Sequence, residues 1–500
     1  MNLKEKVAEF KALNETMAAF GVAGSMFNWD MSTGGSKKGM NYRAKMIGIF
    51  TMKLFEIQTG DAMKSCLDTL GEHMEELDEV TRRMVVLSKK TYDNNTKIPK
   101  EEARAYAELQ AKSQVIWEEA KEAQDYPMFQ DVLGEIIEYQ KKFVEYRGFE
   151  VHPYNPLLDD YEEGMTVEIL DEYFENLKKH IVPLVKSINE KELPYNVDFL
   201  EKSFPIEKQK EFCIQLMDDL GFDYDAGEVK ESVHPFTNGM NVNDVRLTVR
   251  YFENLMTSAV FSAAHEGGHA IYEQNIDENL EFTGLDTGVS SGIHESQSRM
   301  YENIICRSKA FWENYYPKLK TFFPKQLDGV SLEDFYAGIN KVENSFIRVE
   351  ADELTYSLHI IIRYEIEKAI MTGEVSVEEL PALWNKKYKE YLGLDVPNDE
   401  LGVLQDVHWS FGLFGYFPTY SIGSAYASQF AFYLKEEINF DEDLRDGNYK
   451  NVNEWLHKHI HQYGSLKTPE EIIVAATGKR FDSKYYVEYL TNKYKSLYNL

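Results

Sequence analysis

LMTSAVFSAAHEGGHAIY, residues 255–272, is an apolar helical pattern interrupted once by charge, at His265-Glu266-Gly267-Gly268-His269. An α-helix turns once in about 3.6 residues, so His265 and His269, four apart, project from one face and can reach one tetrahedral ion. Glu266 lies about 100° further round the helix. There its carboxylate can serve as general base toward water in the ion's open position. Gly267 and Gly268 are unusual, because each glycine inside a helix costs about 1 kcal/mol relative to alanine. Another backbone, or a substrate, is expected to approach closely there. An HExxH pattern also arises by chance in histidine-containing amphipathic helices, so a third donor is needed before this one counts as a site.

Catalytic zinc usually has three protein ligands and one open position. A metzincin continuation would need glycine and histidine where this chain has Tyr272 and Asn275, which closes that route. The remaining source is a glutamate from a later helix. Ser290-Ser291-Gly292-Ile293-His294-Glu295 opens one, with the serines as N-caps and the run continuing through Met300, Ile304 and Ile305. Glu295 is the expected third ligand, ahead of Glu273, Glu278, Glu281 and Glu302. Read plainly, it is a carboxylate near a helix N-terminus. His294 either hydrogen-bonds substrate or packs beside the site. Four positions after Glu295, where a carboxylate often orients a histidine ligand, stands Arg299, so the groups behind the ligands must come from elsewhere.

Around the pentad the chain resembles the carboxypeptidase Taq family of metallocarboxypeptidases, through segments in the family's order. These are His234-Pro235-Phe236, Asp244-Val245-Arg246-Leu247-Thr248, the pentad, His294-Glu295-Ser296-Gln297, Ile347-Arg348-Val349-Glu350-Ala351-Asp352, the run from Gly402 to Trp409, and the run from Gly415 to Tyr420. The likeness extends to Leu157-Leu158-Asp159-Asp160-Tyr161-Glu162 and to Ala476-Thr477-Gly478 with Tyr485 and Tyr489, and so covers most of the chain. It departs after Trp29-Asp30, where the family commonly has a Met-Pro-containing loop and this chain reads Met31-Ser32-Thr33-Gly34-Gly35. The resemblance implies a mainly α, gluzincin-type, neurolysin-like fold with a deep central cleft and a small β-sheet beside the zinc helix. It implies removal of single C-terminal residues from peptides, with broad specificity, by an enzyme holding Zn2+ or Co2+. It also implies a homodimer.

Such an enzyme needs a cation for the terminal carboxylate and a donor for the tetrahedral oxyanion. Arg348 is the expected clamp, because guanidinium binds carboxylate bidentately; its plain alternative is an ion pair with Asp352 at i+4. Tyr420 is the expected oxyanion donor, in a loop broken by Gly415, Pro418 and Gly423. His408 shares that role or positions substrate, unless it is a core histidine beside Trp409. His234 and Arg246 are weaker substrate-binding candidates. Residues 246–251 alternate polar with branched or aromatic side chains and read as a short strand, either an edge that pairs with an extended peptide or a packing strand.

Helical periodicity dominates, over 1–26, 61–92, 99–146, 166–190, 207–220, 331–375 and 375–393, with turn signals at 153–156, 221–243, 275–292 and 393–402. Candidate site residues span 234–420, so residues 1–500 are expected to form one integrated catalytic unit. With 54 basic and 84 acidic residues the net charge is −30, which disfavours nucleic acid and anionic membrane as partners. Cys66, Cys213 and Cys306 are too few, and odd in number, for a disulfide framework. With no signal-peptide or membrane-length apolar run, a cytoplasmic protein is expected. An endo-acting oligopeptidase or dipeptidase would use the same zinc chemistry. A non-catalytic zinc-binding scaffold would have no need of Glu266, Arg348 or Tyr420.

Overall fold

The computed structural model describes residues 2–500 as a mainly helical chain in which three short strands form one sheet. Backbone contacts divide it into two compact units, each assembled from three stretches. The first comprises Met1–Thr96, Tyr195–Ile339 and Phe430–Arg480; the second comprises Lys97–Pro194, Asn340–Gln429 and Phe481–Leu500. Among the described residues no helix is long and apolar enough to cross a membrane.

The first unit is built around the pentad helix, Met256–Gln274. Ala259, Ala263, Ala264 and Ala270 are fully buried along it. Side chains this small let three neighbours pack closely: the helix Ile206–Leu220, the sheet, and the helix Ser291–Arg299. The sheet consists of β1 (Gly227–Glu231), β2 (Thr237–Asn241) and β3 (Asp244–Val249), in the order β1-β3-β2. β3 runs parallel to β1 and antiparallel to β2. Its Val245, Leu247 and Val249 are fully buried, as alternation on one face requires. The strand expected over 246–251 is therefore corrected in two ways: it spans Asp244–Val249, and it is central. Both of its hydrogen-bonding sides are occupied, so it cannot add a peptide; an edge is offered by β2.

The amino-terminal helices α1 (Leu3–Thr33) and α2 (Met40–Gln58) belong to the same unit. Asn2 and Glu5 cap α1 reciprocally, at 2.9 and 3.0 Å. Where the sequence departs from the resembled family, α1 runs on through Trp29, which is buried, and ends at Gly34. α2 escapes periodicity analysis because apolar residues surround it. None of its residues is buried, and Tyr42, Ile49 and Met52 are exposed.

Three expected helices are broken, in each case by local hydrogen bonding or turn geometry. The 61–92 pattern is two helices, Asp61–Glu72 and Glu79–Lys97, the second opened by Asp78 accepting from the Thr81 N–H at 2.8 Å. The 99–146 pattern breaks after Ala123, where Gln124 is left-handed at φ 57° and Pro127 begins the next helix. The 331–375 pattern breaks between Leu332–Ile339 and Tyr356–Thr372. There the Asp352 side chain accepts from the N–H groups of Leu354 and Thr355 and from the Thr355 hydroxyl, at 2.8–3.0 Å, in place of helical carbonyls. In the second unit, Tyr356–Thr372 buries Leu358, Ile360, Ile361, Ile362 and Ile366 on all sides, as a core helix does.

Candidate active site

His265, His269 and Glu295 bring one ligand atom each within 4.8 Å of one another. Glu295 Oε2 lies 3.8 Å from His265 Nε2 and 3.7 Å from His269 Nε2. Two atoms each about 2.1 Å from a tetrahedral ion are about 3.4 Å apart, so this spacing and donor set suit zinc or cobalt. The helix carrying Glu295 starts as the sequence predicts, with the Ser290 hydroxyl accepting from the Ile293 N–H at 3.1 Å.

Gly268 permits this convergence. A Cβ there would lie 2.8 Å from both the Gln297 carbonyl oxygen and Ser298 Cα, so the close approach expected at the glycines is the backbone of the Glu295 helix. At Gly267 a Cβ would meet Met217 Cγ at 3.4 Å, which is ordinary contact. Gly268→Ala is therefore expected to push the two helices apart, costing about 1–3 kcal/mol of stability and weakening metal binding, whereas Gly267→Ala does neither. Urea unfolding together with chelator competition measures both effects.

The groups behind the ligands fix their hydrogens. His265 Nδ1 lies 2.9 Å from Glu302 Oε2, which makes that nitrogen the donor and leaves the Nε2 lone pair facing Glu295. Burial alone would raise the Glu302 carboxyl, but Arg299, His265 and Arg307 hold it well below the usual carboxylate range. Arg299 donates to Glu302 Oε2 at 2.9 Å and to Glu295 Oε1 at 2.7 Å, which leaves Glu295 Oε2 for an ion. The cation at the position where a carboxylate was sought thus steadies two carboxylates. The orienting carboxylate comes from the π-helical turn Met300–Ile305, of a kind that recurs at functional sites. His269 Nδ1 is 2.6 Å from His294 Nδ1, and His294 Nε2 is 2.7 Å from Glu273 Oε1. Both nitrogens of His294 are engaged within the protein, which is the geometry of the second of its two readings, a side chain packed beside the site, here behind His269.

Glu266 is buried at 7% exposure, and its Oε2 accepts from the Thr237 hydroxyl at 2.7 Å. Burial raises its carboxyl above the ordinary value, only partly offset by His265 and Thr237. A raised, oriented carboxylate beside the candidate metal ligands suits a group that accepts and returns a proton.

The remaining candidates lie in the second unit, apart from His234 and Arg246. Arg348 is buried; its Nε and Nη2 donate to Asp406 Oδ1 at 3.0 Å each, and its Nη1 donates to the Tyr356 hydroxyl at 3.1 Å. The ion pair considered with Asp352 is absent, since Asp352 caps the next helix. Arg363, fully buried, donates to Asp406 Oδ2 at 2.7 Å and to Gln405 Oε1 at 2.7 Å. Burial works against ionisation of Asp406, yet the two guanidiniums hold its carboxyl far below the usual range. Two arginines against one aspartate leave one positive charge. His408 Nε2 is 3.3 Å from the Tyr420 hydroxyl, and burial lowers His408 to about 4, so it is neutral near neutral pH.

His234 is exposed between β1 and β2. Arg246 is paired with both oxygens of Asp244, at 2.7 and 2.8 Å. Glu273, Glu302, Thr237, Arg363 and Asp406 were not singled out for these positions from sequence. Asp406 had one signal, being two residues from His408 in a segment carrying the resemblance; Glu273 and Glu302 were legible only as rival ligands.

Comparison with known proteins finds relatives that match along the whole chain. The profile of the carboxypeptidase Taq (M32) metallopeptidase family matches residues 9–494. Carboxypeptidase 1 of Bacillus subtilis is 47% identical over 98% of this chain and 98% of its own. Thermostable carboxypeptidase 1 of Thermus thermophilus is 34% identical over 99% of this chain and 98% of its own. The crystal structure of an M32 carboxypeptidase from Deinococcus radiodurans superposes with a TM-score of 0.96 at 32% identity, covering 99% of this chain and 100% of that one.

Proposed function

Because the chain belongs to the carboxypeptidase Taq (M32) family of metallopeptidases and is a metal-dependent carboxypeptidase, we propose that His265, His269 and Glu295 hold its metal and that Glu266 is its general base. The observation that carries this reading is the set of three donors from two helices around one point, beside a buried carboxylate of the pentad. A divalent ion bound there supplies a Lewis acid for the scissile carbonyl and lowers the pKa of water. Glu266, steadied by Thr237, takes the proton from the attacking water and delivers it to the departing amine. Zinc is the proposed ion; cobalt accepts the same donors.

Arg348 is proposed to receive the substrate's terminal carboxylate. Three of its five N–H groups are used internally, leaving two on the outer nitrogens, and the excess positive charge of the Arg348–Asp406–Arg363 group favours an anion. If His408 carries its hydrogen on Nε2, it donates to the Tyr420 oxygen, which lets Tyr420 donate in turn to the oxyanion. β2 is the proposed strand for main-chain pairing with an extended peptide, with His234 meeting substrate from the turn before it. His294 is reassigned to holding His269, and Arg246 to its pair with Asp244. Residues 1–500 are proposed to be a single integrated catalytic unit; the family match across 9–494 supports this.

Matched peptides with free and amidated C-termini test the activity. The free acid is expected to lose one residue at a time and the amide to remain intact. A chelator should stop turnover and Zn2+ or Co2+ restore it, with products read by mass spectrometry. Internal cleavage of the amide would favour the endo-acting alternative.

A homodimer is proposed from the resemblance, and α2 supplies an apolar face that could meet a second copy, with Met52 at 62% and Ile49 at 43% exposure. The double variant Ile49→Lys, Met52→Lys is expected to weaken self-association at least about tenfold by sedimentation, through burial of uncompensated charge. An unchanged dimer would move the interface elsewhere. A reducing, cytoplasmic location is proposed because Cys66, Cys213 and Cys306 are buried and unpaired.

A further inference from the structure

We propose that Glu273 and His294 are positioning residues that fix the tautomer of His269, and through it the affinity of the metal site. The inference rests on His269 being a ligand. The hydrogen positions follow stepwise from one oxygen. Glu273 Oε1 accepts from the Gly288 N–H at 3.1 Å and from the Thr287 hydroxyl at 3.3 Å, so it is held as an acceptor. His294 Nε2, 2.7 Å from the same oxygen, must carry a hydrogen. In the neutral ring Nδ1 is then a lone pair, and it lies 2.6 Å from His269 Nδ1. His269 Nδ1 therefore carries the hydrogen, and His269 Nε2 presents its lone pair toward Glu295 Oε2, 3.7 Å away.

The opposite tautomer of His294 would reverse every step. Its Nδ1–H would require a lone pair on His269 Nδ1, moving the hydrogen of His269 to Nε2, where no cation can bind. The His294 ring is packed between Gly288 and Tyr272. A Cβ at Gly288 would lie 2.5 Å from His294 Cδ2, and Tyr272 packs against the ring with centroids 5.1 Å apart. The Glu273 carboxylate occupies the space beside Gly239 of β2, where an added Cβ would lie 2.7 Å from its Oε2.

The relay needs an acceptor at Glu273, not a charge. Glu273→Gln keeps an oxygen at that point, because the Gly288 N–H and the Thr287 hydroxyl select it over the amide nitrogen. Its zinc Kd is expected within about threefold of the parent, whereas Glu273→Ala and His294→Leu weaken zinc about 10- to 100-fold. His294→Asn, whose Oδ1 can replace Nδ1 as acceptor, is expected to recover most of the loss seen with leucine. Zinc affinity is read by chelator competition on the full-length protein, and the visible absorption of the Co2+-loaded form reports a disturbed ligand set independently of turnover. Circular dichroism and urea midpoints identify variants that have lost the fold, and the glutamine and asparagine variants then carry the test as the least disruptive changes. Equal weakening by Glu273→Gln and Glu273→Ala, or equal weakening by His294→Asn and His294→Leu, overturns the relay. If His269→Ala loses metal while Glu273→Ala and His294→Leu bind normally, the relay is wrong and the ligand assignment stands. If His269→Ala itself binds zinc as the parent does, the ligand assignment is wrong.

Discussion

Glu266→Gln is expected to lower kcat by about 10²- to 10⁴-fold, the contribution of a positioned general base, while metal content stays unchanged. Glutamine has nearly the same shape, and its oxygen can still accept the Thr237 hydroxyl that holds Glu266 Oε2 at 2.7 Å. The orientation should therefore survive and only proton transfer be lost. The side chain is not among the three donors of the candidate metal site, so the ion has no direct reason to leave. Steady-state kinetics, paired with metal analysis of the same preparation, separate the two effects. A variant that keeps its metal and most of its kcat would remove Glu266 as base. A variant that loses its metal would mean the carboxylate helps to hold the ion.

What the sequence revealed of this site was local chemistry. The His265–His269 spacing, the Ser290 cap and the anomaly at Gly268 each follow from helix geometry over a few residues, and each has its counterpart in the structure. Glu302 was legible only as a rival ligand, because its place behind His265 depends on a π-helical turn that periodicity does not announce. Glu273 acquires its meaning only once His294 is known to bridge it to His269, and Asp406 only once Arg348 and Arg363 are known to share it. The sheet illustrates the same limit. β1 and β2 lie in a stretch read as turn, since Gly239 and the asparagines of β2 favour turns more than strands. With neither strand visible, the central position of β3 could not be deduced. α2 was missed for the opposite reason, an excess of apolar residues that left no stripe to detect.

Arg348→Met is expected to lower kcat/KM for peptides with a free C-terminus by about 10²- to 10³-fold, as loss of a partner from a buried charge pair does, and to abolish most of the preference over the amidated peptide. The fold should survive, because Asp406 keeps Arg363, whose Nη2 approaches Oδ2 at 2.6 Å. Methionine fills much of the aliphatic volume, and the three-group charge falls from plus one to zero without stranding an anion. Asp406→Asn is the informative contrast. It leaves Arg348 and Arg363, at 5% and 0% exposure, with no counter-charge between them, and is expected to cost about 3–5 kcal/mol in urea unfolding. Arg348→Lys should rescue only part of the activity, since an ammonium keeps the charge but cannot present paired N–H groups to a carboxylate. A methionine variant that still prefers the free acid would reduce Arg348 to a structural partner of Asp406. The source of carboxylate recognition would then have to be sought at another cation.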